Sequence, residues 1–174
     1  MILKIDFETK RFPCYYNALG ISIIKESLKA SDEEYYKKLY FYKEKSNKAT
    51  KNFSYSIFIK DYTIENTEFI VNDRVTMYLS TPDLEFGLKI YNGFVKKKQY
   101  KYKEYELKKI RVDLVKEKKI TKEQVIFKTL SPICVKNKEG KFLDIDDNEY
   151  LKELNYVTNM ILNNYRGYGL KREL

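Results

Sequence analysis

Tyrosine and lysine are the residue types with which this chain could do chemistry on a nucleic acid. Its 174 residues include 17 tyrosines but no tryptophan and no histidine. Aromatic rings stack on unpaired bases and lysines bind phosphates, so tyrosines spread among lysines suit an RNA partner. The densest example is QYKYKEY, Gln99 to Tyr105. An amphipathic strand with a solvated lysine face is the alternative interpretation of that segment.

The absence of histidine excludes acid–base catalysis by histidine and histidine metal ligands. The two cysteines, Cys14 and Cys134, are too few for a structural zinc site. They lie far apart in the sequence, and we expect two reduced thiols rather than a disulfide. We therefore predict neither a metal nor a cofactor.

The formal net charge of +9 favours a polyanionic partner, either a nucleic acid or an anionic membrane surface. The codon bias of AT-rich genomes, which favours Lys, Asn, Tyr and Ile, is the alternative explanation. No stretch approaches the roughly 20 apolar residues that cross a membrane. The charged start, MILKIDFETK, is not a signal peptide. We therefore predict a cytoplasmic protein without a membrane partner.

Apolar periodicity predicts the secondary structure of the first two thirds of the chain. The predicted elements are a strand in ILKIDFET, a helix from Asn17 to Ala30, a helix from Asp32 to about Tyr42, a strand from Asn52 to Ile59, a hairpin turning at Asn72-Asp73, a helix with Thr81 as its N-cap, and a strand ending near Leu114. Taken in order, these elements form the βαββαβ unit of the ferredoxin-like fold.

Several details of these elements bear on the site. Ser31 and Glu34 predict a capping box for the second helix, and Lys43 to Thr50 is predicted as a mobile basic loop. The apolar stripes predicted for the first and third helices are Leu19, Ile23, Ile24 and Leu28, and Leu84, Leu88, Tyr91 and Val95.

The remaining residues predict the start of a second ferredoxin-like unit. After a charged linker, 116–123, we expect a strand from Gln124 to Lys136, a hairpin near Glu139-Gly140, and a helix whose apolar residues include Leu151, Leu154, Val157, Ile161 and Leu162. The predicted fold class is α+β, with a ferredoxin-like domain at 1–115 and a partial second one at 124–174. An incomplete unit leaves apolar surface and a strand edge uncovered. Either a partner covers them, or the sequence is not the whole natural chain.

Three motifs, in this order and spacing, resemble one family. FSYSIF follows a basic loop, YLSTPDLEF opens a helix, and FKTLSPICV opens the second unit. Together they resemble the CRISPR-associated repeat-RNA-processing endoribonucleases, over about Met1 to Tyr168. The resemblance implies two ferredoxin-like domains in tandem. It also implies binding of a CRISPR repeat and one metal-independent cut per repeat, in which the ribose 2′-hydroxyl attacks the phosphate and leaves a 2′,3′-cyclic phosphate.

The resemblance also implies site residues. The family's usual catalytic histidine falls near Tyr40, its lysine is kept as Lys51, and its helix tyrosine falls near Lys25. Tyr40, Lys51 and Lys25 are therefore the predicted catalytic residues. The family's C-terminal glycine-rich loop, which holds RNA, does not appear by Leu174.

Six further residues are predicted to contact RNA because they flank the matched strands or lie in the basic loop. They are Lys10, Arg11, Lys48, Lys128, Ser131 and Lys136. Ser131 precedes Pro132, which lacks a backbone N–H and is accepted in a strand only at an edge or a bulge. Backbone near Ser131 would then face a ligand or the other domain. A kink at a strand end is the alternative.

Cutting RNA by its own 2′-hydroxyl needs removal of that proton, neutralisation of the phosphate and protonation of the leaving oxygen. An unshifted tyrosine or lysine, with a pKa near 10, is a poor base at pH 7 but a usable donor. We expect Lys51 to stabilise the phosphate and Tyr40 to orient or donate to an oxygen.

Two other functions remain open from the sequence. One is a non-catalytic relative that binds RNA or a CRISPR complex, and the other is a generic ferredoxin-like RNA-binding domain. The expected partners are the repeat RNA of the CRISPR precursor, a CRISPR effector complex, and a second copy of the chain.

Overall fold

The computed structural model describes residues 1–42, 45–46, 51–117, 119–121, 124, 126 and 133–170. The chain separates into two compact units, Met1–Glu117 and Lys118–Leu174. The predicted domain boundaries and the linker at 116–123 stay predictions. Neither Cys14 nor Cys134 forms a disulfide. Within the described residues, no helix has the length and apolar character to span a membrane.

In its described part, the first unit contains three helices, a five-stranded sheet, a three-stranded sheet and a separate two-stranded ladder. Its elements are β1 (Ile2–Glu8), β2 (Arg11–Pro13), α1 (Asn17–Ser31), α2 (Glu33–Tyr40), β3 (Phe41–Tyr42), β4 (Lys45–Ser46), β5 (Ser54–Ile59), β6 (Tyr62–Glu65), β7 (Glu68–Val71), β8 (Val75–Ser80), α3 (Leu84–Lys96), β9 (Gln99–Tyr102) and β10 (Tyr105–Val115).

The larger sheet is antiparallel and has the strand order β5-β8-β1-β10-β9. Strands β1, β5, β8 and β10, with helices α1 and α3, follow the βαββαβ order of the ferredoxin-like fold, and β9 extends the sheet beside β10. The predicted α+β, ferredoxin-like class is confirmed.

The core lies between this sheet and the helices α1 and α3. Alternate residues of the central strands are fully buried there, as period-two patterning predicts; Leu3, Ile5, Val75, Met77 and Leu79 are all 0% exposed. The predicted apolar stripe of α1 is also confirmed, because its four members are at most 2% exposed; these are Leu19, Ile23, Ile24 and Leu28.

The predicted apolar stripe of α3 is wrong except at Tyr91, which is half-buried against the core. Leu84, Leu88 and Val95 are 68%, 59% and 48% exposed, whereas the buried side chains are Phe86, Ile90 and Phe94. The face that packs inward also carries Gly87 and Gly93. Glycine adds no apolar signal, so the sequence pattern favoured the neighbouring face, which is richer in leucine.

The predicted N-cap of α3 is also wrong. The side chain of Asp83, not Thr81, accepts the hydrogen bond from the backbone N–H of Phe86, at 3.1 Å. Thr81 Oγ1 instead donates to the carbonyl of Asn52, at 2.6 Å. This bond ties the start of α3 to the segment that carries Lys51.

Gly93 is where α3 crosses α1 at close range. A Cβ at this position would lie 2.0 Å from the backbone oxygen of Ser27. We expect Gly93→Ala to lower the free energy of unfolding by about 2–4 kcal/mol, because the helices must separate. Urea denaturation followed by circular dichroism measures it. Asn92→Ala, on the exposed side of α3, is the control. By helix propensity alone Gly93→Ala would stabilise by about 1 kcal/mol, so an increase in stability would contradict the crossing.

The hairpin predicted to turn at Asn72-Asp73 is wrong. β7 pairs with β6 and with β2 in a separate sheet, while β8 pairs with β1 and β5. The tight turn lies earlier, at Asn66, whose φ of 54° suits an asparagine. Residues 72–74 therefore connect two sheets. Alternation on both sides of a turn predicted pairing, but it carries no information on which strand each arm pairs with.

The tyrosines of QYKYKEY are structural at two of three positions. Tyr100 and Tyr105 are 3% and 7% exposed. The hydroxyl of Tyr100 shares a 2.8 Å hydrogen bond with Ser27, and that of Tyr105 donates to Glu68 at 2.7 Å. These two rings are not available to stack on RNA bases, so the amphipathic-strand interpretation is correct for them.

The second unit is described only from residue 133 onward and at a few earlier positions. It contains β11 (Val135–Lys136), β12 (Phe142–Leu143) and α4 (Tyr150–Arg166). The predicted hairpin is confirmed, with Gly140 in its turn at φ 83°. The predicted helix is confirmed too, and Leu151 and Ile161 are exposed on it. Most of the predicted strand from Gln124, including Pro132, lies outside the described residues.

Candidate functional site

A one-residue joint between α1 and α2 creates the geometry of the candidate site. α1 ends at Ser31, α2 begins at Glu33, and Asp32 between them is extended. Asp32 Oδ1 accepts from the backbone N–H of Tyr35 at 2.9 Å, so Asp32 is the N-cap and the predicted capping box of Ser31 and Glu34 is wrong. Asp32 Oδ2 also lies 2.5 Å from Lys89 Nζ of α3.

Beyond this joint, α2 folds back along α1. Tyr36 and Tyr40, four residues apart on α2, meet Lys29 and Lys25, four residues apart on α1. The Lys29 ammonium lies 4.7 Å from the ring centre of Tyr36, and the Lys25 ammonium lies 5.0 Å from that of Tyr40. The two tyrosine rings are 5.2 Å apart. Helical spacing on both partners therefore produces two cation–aromatic pairs in register.

Lys51 reaches the same tyrosine from the segment before β5. Its ammonium lies 5.6 Å from the ring centre of Tyr40. The segment is held by the hydrogen bond from Thr81 to Asn52 and by Phe53, which stacks on Phe86 at 4.9 Å. The structure thus brings the three predicted catalytic residues, Tyr40, Lys51 and Lys25, to one place, and their roles stay predictions.

The hydroxyl of Tyr40 is buried and makes no hydrogen bond to any residue the structure describes. Burial, with a smaller contribution from Tyr36, raises the pKa of Tyr40 to about 12. Fewer than about one in 10,000 such side chains is ionised at pH 7. Tyr40 is therefore a neutral hydrogen-bond donor at this pH and an even poorer base than an ordinary tyrosine.

Lys51 is shifted in the opposite sense. Burial, and then the positive charge of Lys25, lower the pKa of Lys51 from its ordinary 10.5. Both effects disfavour the ammonium form, so an anion placed between Lys51 and Lys25 would be stabilised by both cations and would offset their repulsion. The cluster offers one neutral donor and two cations to a negatively charged group.

Of the six residues predicted to bind RNA, Lys48, Lys128 and Ser131 lie outside the described residues. Lys10 is exposed and its carbonyl accepts from Val71, in the smaller sheet. Lys136 lies in the second unit, with its ammonium 4.3 Å from the ring centre of Phe142.

Arg11 is engaged within the protein. Its Nε donates to Glu68 at 2.7 Å, and the same carboxylate accepts from Tyr105. These two hydrogen bonds, first from Tyr105 and then from Arg11, lower the pKa of Glu68. Arg11 would have to share its charge with Glu68 to bind a phosphate, and its predicted RNA contact stays a prediction.

Lys29 and Tyr36 lie beside the predicted catalytic residues and were missed in the sequence. Their signal was the repeated four-residue step, Lys25 to Lys29 and Tyr36 to Tyr40, which is visible only if the two helices are known to face each other. No group of three or more Asp, Glu, Cys or His side chains that could hold a metal occurs within the described residues.

Comparison with known proteins supports the resemblance. Residues 115–174 match the family model described as CRISPR associated protein Cas6, C-terminal. Over these residues the resemblance to the Cas6 family is confirmed. The match covers the second unit, Lys118–Leu174, and does not include residues 1–114 of the first unit. No curated protein sequence matches the chain.

Solved structures share the fold of this chain at low sequence identity. One, titled an RAMP protein binding different RNA substrates, has a TM-score of 0.76 and 22% identity, and the match covers 98% of this chain and 74% of that one. A second, titled characterization of a Cas6-related gene from Pyrococcus furiosus, has a TM-score of 0.73, 22% identity, and coverage of 98% and 73%. A third, CRISPR associated protein Cas6, has a TM-score of 0.68, 18% identity, and coverage of 99% and 74%.

Proposed function

We propose that this protein binds CRISPR repeat RNA and cuts the precursor into guide RNAs without a metal ion. The observation that carries the proposal is the convergence of Tyr40, Lys51 and Lys25, three residues chosen from separate parts of the sequence. The ribose 2′-hydroxyl next to the cut is the nucleophile, and the products are a 2′,3′-cyclic phosphate and a 5′-hydroxyl.

Lys51 and Lys25 bind the scissile phosphate and neutralise the charge that grows on its oxygens as the 2′-oxygen attacks. Tyr40 donates its buried hydroxyl to one of these oxygens, which supplies the hydrogen bond that the described residues do not. The Lys51 ammonium also protonates the leaving 5′-oxygen, since its lowered pKa makes it a stronger acid than an ordinary lysine.

No side chain of the cluster is suited to removing the 2′-hydroxyl proton at pH 7. Tyr40 is neutral, and Lys25 and Lys51 are cations that act as donors. Hydroxide from solvent removes the proton, and in-line positioning of the bound RNA supplies part of the rate, a contribution that reaches several kcal/mol in well-oriented reactions. Cutting is therefore slow, which is sufficient for an enzyme that acts once per bound repeat.

The second candidate function is RNA binding without cutting. The observation that favours it is the absence of histidine, the side chain best suited to both proton transfers near pH 7. The same two cations would then hold a phosphate that is not cleaved.

Cleavage of labelled repeat RNA by excess protein in the presence of a chelator distinguishes these functions. We expect one cut, abolished when the ribose at the cut is replaced by deoxyribose, because the nucleophile is then missing. An unrelated RNA of equal length is the control. Tight, salt-sensitive binding of the repeat with no cut would establish the binding function and reject the nuclease.

A further inference from the structure

We infer that Lys29 binds the phosphate next to the one held by Lys25 and Lys51, so that α1 tracks two successive phosphates of the RNA. This inference rests on the proposed RNA-binding function. It adds a positioning residue that does not touch the reacting atoms.

The spacing of the two lysines fits this role. Residues four apart on a helix lie on one face, with their Cβ atoms about 6 Å apart. This separation is comparable with that of neighbouring phosphates on a nucleic-acid strand. Lys25 and Lys29 therefore offer two ammonium groups in a row, and Lys51 lies at the Lys25 end because it shares the Tyr40 ring with Lys25.

The ring beneath Lys29 fixes the position of its ammonium. Tyr36 is only 7% exposed and packs against Tyr40 and Phe41, with ring centres 5.2 and 5.9 Å away. A buried, packed ring 4.7 Å from the Lys29 ammonium restricts the rotamers of a long side chain before RNA arrives. Binding a phosphate then costs less conformational entropy than at an unrestrained lysine.

Two other lysines, one on α2 and one on α3, are engaged with carboxylates. Lys37 lies 3.1 Å from Glu33, and Lys89 contacts Asp32. Lys29 has an exposed side chain and, within the described part of the chain, no ion pair with an acidic residue. Its charge is therefore directed at solvent, where a phosphate can bind without first displacing a described carboxylate.

Equilibrium binding of repeat RNA to Lys29→Ala tests the inference against Lys38→Ala. Lys38 is exposed on α2, on the side away from Tyr36 and Tyr40, and its substitution removes the same charge nearby. We expect Lys29→Ala to weaken binding about 3- to 10-fold and to reduce the slope of log K against log salt by about 0.7, the value of one phosphate contact on a single strand. Lys38→Ala should change neither quantity as much.

A scan of single neutral methylphosphonate linkages along the repeat then locates the contact. We expect one linkage whose neutralisation weakens binding to the unmodified chain but not to Lys29→Ala. At the adjacent linkage, neutralisation should weaken binding to the unmodified chain but not to Lys51→Ala. The inference would be overturned if the linkages found with Lys29→Ala and Lys51→Ala were the same, or if they lay far apart in the repeat.

The remaining outcomes separate the inference from the proposed function. If the unmodified chain binds repeat RNA and Lys29→Ala behaves like Lys38→Ala, the inference fails and the proposed function stands. If the unmodified chain does not bind repeat RNA better than the unrelated RNA, both fail. If Lys29→Ala slows cutting at saturating protein as much as Lys51→Ala does, Lys29 acts on the scissile phosphate itself and the positioning role is rejected.

Discussion

Lys51→Ala is expected to slow cutting of repeat RNA at saturating protein by about 100- to 1,000-fold. Removing one group that stabilises charge developing in a transition state has an effect of this size. The loss should be larger in the rate at saturation than in the affinity, since Lys25 still binds the phosphate in the ground state. Single-turnover cleavage across a range of protein concentrations separates the two quantities.

Lys60→Ala is the matched control for this variant. Lys60 lies at the opposite end of β5, a six-residue strand about 20 Å long, and is paired with Asp73 at 3.6 Å. It removes the same charge from the same domain, so cutting should be nearly unchanged. Equal losses in the two variants would mean that Lys51 contributes only to the general positive charge, and its assignment to the site would be wrong.

The dependence of the cutting rate on pH follows from the direction of the Lys51 shift. Hydroxide removes the 2′-hydroxyl proton, so the rate should rise about tenfold per pH unit from about pH 6. It should stop rising once pH passes the pKa of Lys51, which lies below 10.5, because the ammonium is then lost. Lys51→Arg keeps the charge to higher pH and should move this limit upward, at a lower rate because a guanidinium does not give up a proton to the leaving oxygen. A bell centred near pH 7 would instead indicate a histidine-like pair of groups.

The sequence predicted the fold well where the spacing of apolar residues within one strand or helix decides which side chains are buried. Leu3 and Ile5 on β1 and Ile23 and Ile24 on α1 are buried as their spacing predicted. The wrong predictions concern features that the spacing of apolar residues does not encode. Gly93 lies on the packed face of α3 without adding apolar character, and Tyr100 is indistinguishable in sequence from a ring that stacks on RNA.

The candidate site shows the same division. The segments carrying Tyr40 and Lys51 were identified by their resemblance to a family, but the sequence gives no measure of how α2 is placed. That placement depends on Asp32, which ends one helix and caps the next within a single residue. The pKa of Tyr40 could not be predicted either, because burial of its hydroxyl depends on how α2 and the segment of Lys51 pack against α1.

Tyr40→Phe is expected to slow cutting by about 10- to 100-fold without reducing the stability of the protein. A donated hydrogen bond to a charged oxygen contributes roughly 1.5–3 kcal/mol, which accounts for the slower rate. Stability should be kept because, in the protein without RNA, the Tyr40 hydroxyl is buried and has no hydrogen-bond partner among the described residues. Removing it should leave the free energy of unfolding unchanged or raise it by about 1 kcal/mol.

Tyr100→Phe makes the same chemical change at a hydroxyl that is satisfied. Tyr100 is buried, its pKa is also raised to about 12, chiefly by burial, and its hydroxyl is bonded to Ser27 at 2.8 Å. This variant should lose about 1 kcal/mol of stability and keep its cutting rate. Loss of rate without loss of stability in Tyr40→Phe, and loss of stability without loss of rate in Tyr100→Phe, would identify Tyr40 as a group held for a ligand rather than for the fold.

The pH profile of Tyr40→Phe decides between its two chemical roles. If Tyr40 only donates, the variant keeps the tenfold rise per pH unit at a lower rate, because hydroxide still removes the 2′-hydroxyl proton. If the small phenolate fraction of Tyr40 were the base, the wild-type profile would rise equally, but the variant would lose that route and a factor of about 100 to 10,000. If the variant keeps the rise of rate with pH and loses only a modest part of the cutting rate, hydroxide from solvent removes the 2′-hydroxyl proton. We expect this result, because the site has no histidine and its tyrosine has a pKa of about 12.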